Sequence, residues 1–328
     1  MSRENENIFI VRINFYMQVG VMIHSSKKIA MIGTGIMGSG LASNLLKAGH
    51  SVNLYMRNPS RIRHLPSEEI EILKGPKATL FEDVKLACHG VDLIVLCLTE
   101  DDIVKETFFG SGLLSSGAKH IIDTGTTSPD LTLLMFEAAK QKGIVFIDAP
   151  MTGSKLAART GQVLFMVGGD TKDIEVLKFF FDPCSKKVIH CGAVTNGQRA
   201  KIALNLIQAG LFQVYIEGFQ LATKDNIPTD VFMDIVKQSA ASSPLLDFKL
   251  KSVIQEDYEA HFALKNMSKD VHHAMQRASH LQVKMPLSSN LKAIYDDGIR
   301  AGLGNEDFCA LAKINEQWNT NKLAIFKS

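Results

Sequence analysis

The sequence is poor in the features that mark several large classes of protein. It has only 5 cysteines and 1 tryptophan among 328 residues. No two cysteines stand in C-x-x-C spacing, which argues against a zinc site and a disulfide framework and favours a reducing compartment. Its 36 basic and 34 acidic residues leave a net charge of +2. This balance provides no field that would attract nucleic acid or an anionic membrane, so we expect neither as a partner.

Several catalytic signatures are missing as well. The sequence has no H-E-x-x-H, no G-x-S-x-G and no P-loop, so hydrolase and phosphotransferase chemistry lack their local motifs. The pair His272-His273 lies on a predicted helix, where adjacent residues point to different faces, and no third ligand stands at a helpful spacing. We therefore predict no metal site.

Residues 1–27 form an N-terminal extension. Its apolar run from Ile8 to Ile23 is too short for a membrane span and is interrupted by polar residues. It has no basic start and no A-x-A site, which argues against a secretory signal. Two interpretations stay open: the extension is a targeting segment, or translation begins at Met17 or Met22. We expect a cytoplasmic protein, with mitochondria as the alternative location.

Residues 28–191 alternate between short apolar runs and longer segments of helical spacing. The predicted strands are Lys28 to Ile32, Val52 to Tyr55, Val91 to Leu98, His120 to Thr124, Val145 to Ala149, Val163 to Val167 and Lys187 to His190. Helices are predicted at Met37 to Ala48, Ser128 to Lys142 and Thr171 to Phe180. Near-continuous hydrophobic strands suit a sheet that is covered on both faces. This alternation predicts an α/β Rossmann-type domain with a mostly parallel sheet.

Residues 192–328 show no further strand signal, and an all-α C-terminal domain is expected there. The predicted helices are Gln198 to Lys224, Thr229 to Ala240, Pro244 to Gln255, Leu264 to Leu281, Pro286 to Ala301 and Asn305 to Lys322. The first of these is long and fairly apolar, as expected of a spine shared between domains or subunits. A homodimer or homotetramer is therefore expected, because such helices often pair across symmetric interfaces.

A glycine-rich loop stands between the first predicted strand and the first predicted helix. The run Gly33-Thr34-Gly35-Ile36-Met37-Gly38 matches G-x-G-x-x-G in the context that dinucleotide-binding folds require. Gly33 permits the tight turn, Gly35 lets the backbone approach a pyrophosphate, and Gly38 allows close packing of helix on strand. The helix N-terminus adds amide donors and a favourable dipole. We predict that these six residues bind a nicotinamide dinucleotide.

The choice of cofactor depends on the end of the second strand. Proteins that bind NAD place an acidic residue there, which accepts hydrogen bonds from the ribose. The stretch from Leu54 to Arg61 has no carboxylate. Arg57 is instead placed to pair with a 2′-phosphate, with Asn58 as an additional donor. NADP(H) is therefore favoured, and NAD(H) stays the alternative.

Four further segments carry polar side chains at the ends of predicted elements: Asp123 to Pro129, Asp148 to Lys155, Gly192 to Asn205 and His261 to Asp270. Together with the glycine loop, they resemble the β-hydroxyacid dehydrogenase family, which includes the 3-hydroxyisobutyrate dehydrogenases. The run Thr152-Gly153-Ser154-Lys155 is similar to the S-G-S-K form of the glyoxylate and succinic semialdehyde reductases. Three positions depart from the family pattern: Thr152 replaces the commoner serine but keeps a hydroxyl, Thr195 replaces a glycine, and Gly125 replaces a serine.

The turn Thr152-Gly153-Ser154 is the candidate substrate site. It follows a predicted strand, at the sheet edge where α/β folds bind ligands. Its hydroxyl groups and backbone N–H groups suit a carboxylate. The resemblance implies the same role, since the family binds substrate at a D-x-P-x-S-G motif. We therefore expect a small-molecule carboxylate as the substrate.

Lys201 and Asn205 are the candidate catalytic residues, four positions apart on one face of a predicted helix. A lysine is usually a solvated surface charge, but Lys201 lies in the apolar stretch from Ala200 to Leu211, where a charge needs a reason. The resemblance implies that Lys201 donates a proton to the substrate carbonyl oxygen. It also implies that Asn205 orients the same oxygen.

The resemblance implies four more contacts with the cofactor. Thr126 fits the position that contacts the nicotinamide, and Phe262 is expected to pack near it. Lys269 and Asp270 are expected to close the site from the helical domain. By residue type alone, Phe262 would be a core side chain, and Lys269 and Asp270 would form an exposed ion pair.

The expected function follows from these roles. The resemblance implies an NADPH-dependent reductase that converts short aldehyde acids, such as glyoxylate or succinic semialdehyde, to hydroxy acids by hydride transfer. One alternative is an NAD-dependent dehydrogenase of the 3-hydroxyisobutyrate type. Another is a noncatalytic NADP-binding scaffold, which would have no physical need for Lys201.

Overall fold

The structure is a computed structural model that describes residues 25–319. The described residues form one nine-stranded sheet in the order β3-β2-β1-β4-β5-β6-β8-β7, with β9 paired to β8. The strands are β1 (Lys28–Ile32), β2 (Ser51–Tyr55), β3 (Ala78–Phe81), β4 (Leu93–Leu96), β5 (His120–Asp123), β6 (Val145–Asp148), β7 (Met151–Thr152), β8 (Val163–Gly168) and β9 (Ser185–Gly192).

Strands β1 to β6 are all parallel to one another. Their order, 3-2-1-4-5-6, is that of a Rossmann fold, and it reverses direction between β1 and β4. Ligands of such sheets bind beyond the carboxyl ends of the strands at this point. Strand β8 breaks the pattern, because it runs antiparallel to β6 and β7, and β9 runs parallel to β8. The predicted Rossmann-type domain with a mostly parallel sheet is confirmed.

Helices cover the sheet and then continue without strands to the end of the described residues. They are α1 (Ile36–Lys47), α2 (Ser67–Leu73), α3 (Val84–Cys88), α4 (Asp101–Lys105), α5 (Pro129–Gln141), α6 (Lys155–Arg159), α7 (Thr171–Val176), α8 (Lys178–Cys184), α9 (Asn196–Lys224), α10 (Thr229–Gln238), α11 (Pro244–Ile254), α12 (Leu264–His280), α13 (Pro286–Arg300) and α14 (Leu311–Trp318). The helical C-terminal region that the sequence predicts is confirmed.

The sheet is buried on both faces because its strands alternate between two hydrophobic cores. In β1, Ile29 and Met31 pack into one core, and Ala30 and Ile32 pack into the other. All four side chains are fully buried. A third core surrounds the long helix α9, where Phe212 and Phe219 are buried against the other C-terminal helices.

The helix predicted at Thr171 to Phe180 is wrong, since two helices, α7 and α8, meet there at Leu177. Phe179, Phe180 and Phe181 are all buried. Successive side chains on a helix point about 100° apart, so three in a row are buried only where core surrounds the helix. The break at Leu177 reorients α8 so that all three phenylalanine side chains pack into the core.

The last predicted helix, Asn305 to Lys322, begins later than expected. Two short 3-10 turns, Leu303–Asn305 and Phe308–Ala310, precede α14, which starts at Leu311. The Phe308 N–H donates to the Phe262 carbonyl at 3.0 Å instead of to a helical partner. A tertiary hydrogen bond thus replaces the helical one. Residues from 320 onward lie outside the described residues.

Several short elements carry too weak a pattern to be predicted, namely β3, β7, α2, α3, α4 and α6. Strand β3 shows why, because it is an edge strand of four residues with no fully buried side chain. A strand of this kind needs no continuous apolar run.

Helix α9 is long and apolar enough to cross a membrane by length and composition. Of its most apolar 18-residue window, 44% is buried inside the protein. The core helix of a globular domain passes the same test, and α9 packs against α12 and the sheet. The helix therefore provides no argument for a membrane span.

Candidate active site

The three glycines of the first loop have the three different surroundings that the motif predicts. Gly33 has a φ of +99°, and a Cβ there would lie 2.3 Å from the Cys97 carbonyl oxygen. A Cβ on Gly38 would lie 1.9 Å from the Gly33 carbonyl oxygen, so α1 packs closely on β1. A Cβ on Gly35 would meet no atom within 4 Å, which leaves open space beside the backbone. No side chain caps the first turn of α1, so its amides suit a phosphate group.

The end of β2 presents polar side chains to this loop. The Thr34 hydroxyl donates to the Tyr55 carbonyl at 3.2 Å and so joins the glycine loop to β2. Arg57 is exposed. The Asn58 side chain accepts from the Ser60 N–H at 3.1 Å and caps the following 3-10 turn. Arg57 is therefore free to turn toward a phosphate, whereas the Asn58 oxygen already has a structural role.

The Thr152-Gly153-Ser154 turn lies between β7 and α6. Gly153 has a φ of +151°, and a Cβ there would stand 3.1 Å from the Ala157 side chain. The Ser154 hydroxyl accepts from the Ala157 N–H at 3.1 Å and caps α6. A capping hydroxyl still has its own proton to donate. The turn therefore offers hydroxyl and amide donors on a rigid backbone.

A buried carboxylate fixes the start of α9. Asp148, at the end of β6, accepts the Thr195 N–H at 2.7 Å and the Gln198 N–H at 2.8 Å. Burial raises the pKa of Asp148 to about 6, although these N–H donors oppose the change. Thr195 has a φ of +81°, so it keeps the left-handed backbone that glycine adopts freely. A Cβ on Gly197 would lie 2.4 Å from the Met166 carbonyl oxygen, so the helix begins directly on the sheet.

Lys201 is only 7% exposed. Within the described residues its ammonium group makes no hydrogen bond and no ion pair. Burial lowers its pKa to about 8. The negative charge of Asp270 opposes this decrease, and the positive charge of Lys269 adds to it. Near neutral pH this group can therefore both hold and release a proton.

A chain of polar contacts runs from Asn205 to the loop after β5. The Asn205 amide donates to Asp270 Oδ2 at 2.6 Å. Asp270 Oδ1 lies 3.0 Å from the Lys269 ammonium, which in turn donates to the Thr126 carbonyl oxygen. Asp270 is fully buried, so these residues do not form the exposed ion pair that residue type alone would suggest. Four predicted site residues from α9, α12 and the β5 loop are thus brought together.

Phe262 is held at the entrance to α12 by its backbone. Asp307 Oδ2 accepts the Phe262 N–H at 2.9 Å, and both Asp307 oxygens lie 2.7 Å from the Lys249 ammonium. Burial alone would raise the pKa of Asp307, but the Lys249 charge lowers it. The Phe262 ring packs edge-on against Phe308, with 6.4 Å between the ring centroids. The aromatic side chain is therefore fixed in place but not fully enclosed.

Comparison with known proteins identifies the family of this chain. Residues 28–192 match the family described as the NAD binding domain of 6-phosphogluconate dehydrogenase. Residues 195–315 match the family described as NAD-binding of NADP-dependent 3-hydroxyisobutyrate dehydrogenase. Glyoxylate/succinic semialdehyde reductase 2, chloroplastic, of Arabidopsis thaliana is 30% identical over 287 residues, which cover 86% of this chain and 78% of that protein. The chain is a β-hydroxyacid dehydrogenase family member.

Two further relatives share the architecture of this β-hydroxyacid dehydrogenase. The mitochondrial 3-hydroxyisobutyrate dehydrogenase of Drosophila melanogaster is 27% identical over 293 residues, which cover 86% of this chain and 87% of that protein. A solved structure of 3-hydroxyisobutyrate dehydrogenase from Mycobacterium tuberculosis superimposes with a TM-score of 0.77 at 24% identity, covering 89% of this chain and 99% of that one. The chain is accordingly an NAD(P)-dependent oxidoreductase that acts on CH–OH groups.

The sequence missed two buried residues of this dehydrogenase that hold the site together. Gln198 and Asp123 are both fully buried. Gln198 stands three residues before Lys201, hence on the same helix face, and this spacing is the signal that would have found it. Asp123 ends β5 beside Asp148 of β6, its partner in the strand register. Among residues 25–319, no group of three or more His, Cys, Asp or Glu side chains is arranged to hold a metal ion.

Proposed function

We propose that this β-hydroxyacid dehydrogenase uses NADPH to reduce short aldehyde acids, such as glyoxylate or succinic semialdehyde, to hydroxy acids. The observation that carries the proposal is the state of Lys201. It is a buried ammonium group with a pKa near 8 and with no acidic partner in direct contact among the described residues. Such a group is suited to give a proton to a developing alkoxide. A binding scaffold would gain nothing from a lysine in this position.

Different residues would bind the substrate and transfer the proton. The bound nicotinamide would supply the hydride. The Thr152-Gly153-Ser154 turn would hold the substrate carboxylate with hydroxyl and amide donors, and Lys201 would donate its proton to the carbonyl oxygen. Asn205 keeps one amide hydrogen for the same oxygen, since the other is used on Asp270. In the reverse direction, the neutral Lys201 amine takes the proton back.

The substrate class is supported by sequence likeness and by charge. The Arabidopsis relative at 30% identity is named a glyoxylate/succinic semialdehyde reductase. Lys155, which follows the substrate turn, reaches Glu259 at 3.1 Å and is mostly buried. It adds positive potential next to a turn of N–H and O–H donors, which favours a substrate with a carboxylate.

A panel of short aldehyde acids with NADPH and NADH, followed at 340 nm, tests the proposal. We expect Lys201→Ala to lower kcat by at least about 100-fold, the usual scale of general acid catalysis, while NADPH still binds. Lys251→Ala is the matched control, because Lys251 is an exposed lysine of the same helical region. Near-normal turnover by Lys201→Ala would refute the assignment. NADPH binding without reduction of any aldehyde acid by the wild type would favour the scaffold.

The cofactor preference is a second part of the proposal. Arg57 is exposed at the end of β2, and no acidic side chain follows that strand before Glu68. We expect Arg57→Ala to raise the KM for NADPH by about tenfold, from the loss of one charge-assisted hydrogen bond, and to leave the KM for NADH unchanged. A parallel rise for both cofactors would contradict the role. Faster oxidation of 3-hydroxyisobutyrate with NAD than reduction of any aldehyde acid would favour the alternative dehydrogenase.

We also propose that the protein is a homodimer or homotetramer that assembles through α9. Ile207, Val214 and Leu221 are exposed on this helix at intervals of seven residues, so they lie along one stripe. A stripe of large apolar side chains on a helix marks a contact surface.

The cellular location is proposed from the sequence alone. The names of two relatives place one in the chloroplast and the other in mitochondria. Residues 1–24 of this chain lie outside the described residues. We propose a cytoplasmic protein, and a fluorescent protein fused to the C-terminus would show its distribution.

A further inference from the structure

The loop that follows β5 is tied down at almost every residue. Gly125 donates its N–H to Asp123 Oδ1 at 3.0 Å, and the Thr127 hydroxyl donates to Asp123 Oδ2 at 2.7 Å. The Ser128 N–H lies 3.2 Å from Asp101 Oδ1. Between these residues, the Thr126 carbonyl oxygen accepts a hydrogen bond from Lys269, whereas the Thr126 hydroxyl makes no hydrogen bond to any described residue. The backbone of the loop is fixed while the Thr126 hydroxyl is left for a ligand.

The Gln198 side chain of α9 forms hydrogen bonds with the residues before and after Thr126 in this loop. Gln198 Nε2 donates to the Gly125 carbonyl at 2.9 Å and approaches Asp123 Oδ2 at 3.3 Å. Gln198 Oε1 accepts the Thr127 N–H at 3.1 Å. The amide therefore uses its donor and its acceptor on the residues before and after Thr126. No rotation of the loop about Thr126 is possible without breaking one of these bonds.

The position of Gln198 on α9 connects this loop to the proposed proton donor. Gln198 and Lys201 stand three residues apart on one helix face. The Gln198 N–H is bound by Asp148 of the sheet, so this turn of the helix is fixed at both its backbone and its side chain. We propose that Gln198 is a positioning residue that sets the distance between the residue facing the nicotinamide, Thr126, and the proton donor, Lys201. The expected effect on kcat rests on the proposed function, whereas the expected effect on the loop does not.

Hydrogen exchange of the protein without cofactor tests the structural part directly. Gln198→Met has nearly the same volume but lacks both the donor and the acceptor. We expect amides in the peptide 123–130 to exchange at least about tenfold faster in this variant, with no change in β1 or β4. Gln213→Met is the matched control, because Gln213 is a buried amide of the same helix that bonds Glu217 and Asn315 instead. Unchanged exchange of 123–130 in Gln198→Met would overturn the proposal whether or not the enzyme reduces aldehyde acids.

Kinetics test the catalytic part. A displacement of about 1 Å between reacting groups costs roughly 100-fold in rate, so we expect Gln198→Met to lose about that much kcat. NADPH should bind within about threefold of wild type, and NADPH carrying deuterium at the transferred position should give a larger isotope effect on kcat. Gln213→Met should keep its kcat even if it melts earlier. A loss of kcat that only parallels a loss of NADPH binding or of folded protein would overturn the positioning role.

Gln198→Glu keeps the proposal falsifiable should the methionine variant fail to fold. A protonated glutamate has one donor and one acceptor and so reproduces the amide, whereas its carboxylate cannot donate to the Gly125 carbonyl. Burial beside Asp123 and Asp148 favours the protonated form. We therefore expect the activity of Gln198→Glu, relative to wild type at the same pH, to recover as the pH falls. A ratio that stays equally low across pH 5.5 to 9 would overturn the proposal.

Discussion

Lys201 carries its charge in a place where water is scarce. Burial lowers its pKa to about 8, and the Asp270 charge limits the change. Asp270 is fully buried and contacts Asn205 and Lys269, so its charge acts on the Lys201 ammonium group without a direct ion pair. A direct ion pair with Lys201 would keep the proton bound and would weaken the residue as an acid.

This pKa predicts opposite pH profiles for the two directions of the reaction. Reduction needs the ammonium form, so kcat/KM for an aldehyde acid should fall as the pH rises above about 8. Oxidation needs the neutral amine, so kcat/KM for the hydroxy acid should rise up to about the same pH. Asp270→Asn removes the charge that raises the Lys201 pKa, and both midpoints should then move to lower pH. Rate profiles from pH 6 to 10 measure this, and profiles that fall together in both directions would contradict it.

Asp123 and Asp148 are buried acids whose ionised forms cost stability. Burial raises the pKa of Asp123 to about 7 and that of Asp148 to about 6. Between the unfolded pKa near 4 and these folded values, the native state holds protons that the unfolded chain has lost. The free energy of unfolding from these groups therefore falls as the pH rises through this window.

We expect the wild type to lose about 3 kcal/mol of this contribution between pH 5.5 and 7.5, of which about 2 kcal/mol come from Asp123. His120 and His261, whose pKa values are lowered chiefly by burial, act in the opposite direction. The comparison with Asp123→Asn isolates the carboxyl group, because the histidines are common to both proteins. Urea denaturation at each pH gives the free energies. Equal pH slopes for the wild type and the variant would show that Asp123 does not titrate in this range.

Helices α1 and α6 pack closely because a glycine stands at their contact. A Cβ on Gly40 of α1 would lie 2.8 Å from the Ala158 carbonyl carbon of α6. Asn44, one turn later, donates its amide to the Ala158 carbonyl oxygen at 2.7 Å. Because α6 begins at the substrate turn, this contact also fixes Thr152-Gly153-Ser154 against the helix that follows the cofactor loop.

Two helical glycines should respond oppositely to the same substitution. Gly40→Ala forces a methyl group into backbone atoms, and we expect a net loss of about 1–2 kcal/mol after the gain in helix propensity is subtracted. Gly218→Ala in α9 meets no atom within 4 Å, so it should gain about 0.5–1 kcal/mol from propensity alone. Chemical denaturation at a fixed protein concentration compares the two. A gain for Gly40→Ala would mean that α6 shifts at no cost.

The elements that the sequence predicts best are those whose pattern is local. The run from Gly33 to Gly38 contains, within six residues, the glycine of the tight turn, the glycine beside open space for a ligand and the glycine that lets helix pack on strand. All three glycines have the surroundings that the motif predicts. Residues whose roles depend on partners far along the chain are less accessible. Gln198 acts on the loop at 125–127, and Asp307 binds Lys249 and the N–H of Phe262. The spacing of Gln198 from Lys201 places it on the same helix face. No sequence signal indicates the partners of Gln198 or Asp307, because these partners meet only after the sheet and helices have packed.

At the scale of the whole molecule, α12 holds the helical region to the cofactor region. Its basic side chains at positions 265, 269 and 273 are four residues apart and share one face. Lys265 lies 3.8 Å from Glu100, and His273 lies 3.5 Å from Asp101. Burial alone would raise the pKa of Asp101, but the nearby His273 side chain and the hydrogen bond from Ser128 lower it to about 2. These contacts lie on either side of Lys269 and the Thr126 loop, so they fix the positions of the α12 and β5-loop residues of the site relative to each other.

The exposed stripe of α9 predicts how copies of the whole molecule associate. A charge at its centre would have to be buried without a partner in a helix-to-helix interface, at a cost of several kcal/mol per ion, so Val214→Glu should yield monomers. Val176→Glu is the matched control, because Val176 is 57% exposed on α7 and Val214 is 52% exposed on α9. Light scattering coupled to size-exclusion chromatography measures the mass of each. A wild type that is already monomeric, or a Val214→Glu variant that keeps the wild-type oligomer, would refute the interface. Because α9 also carries Gln198 and Lys201, the monomer's kcat will further show whether this contact stiffens the helix on which the proposed chemistry depends.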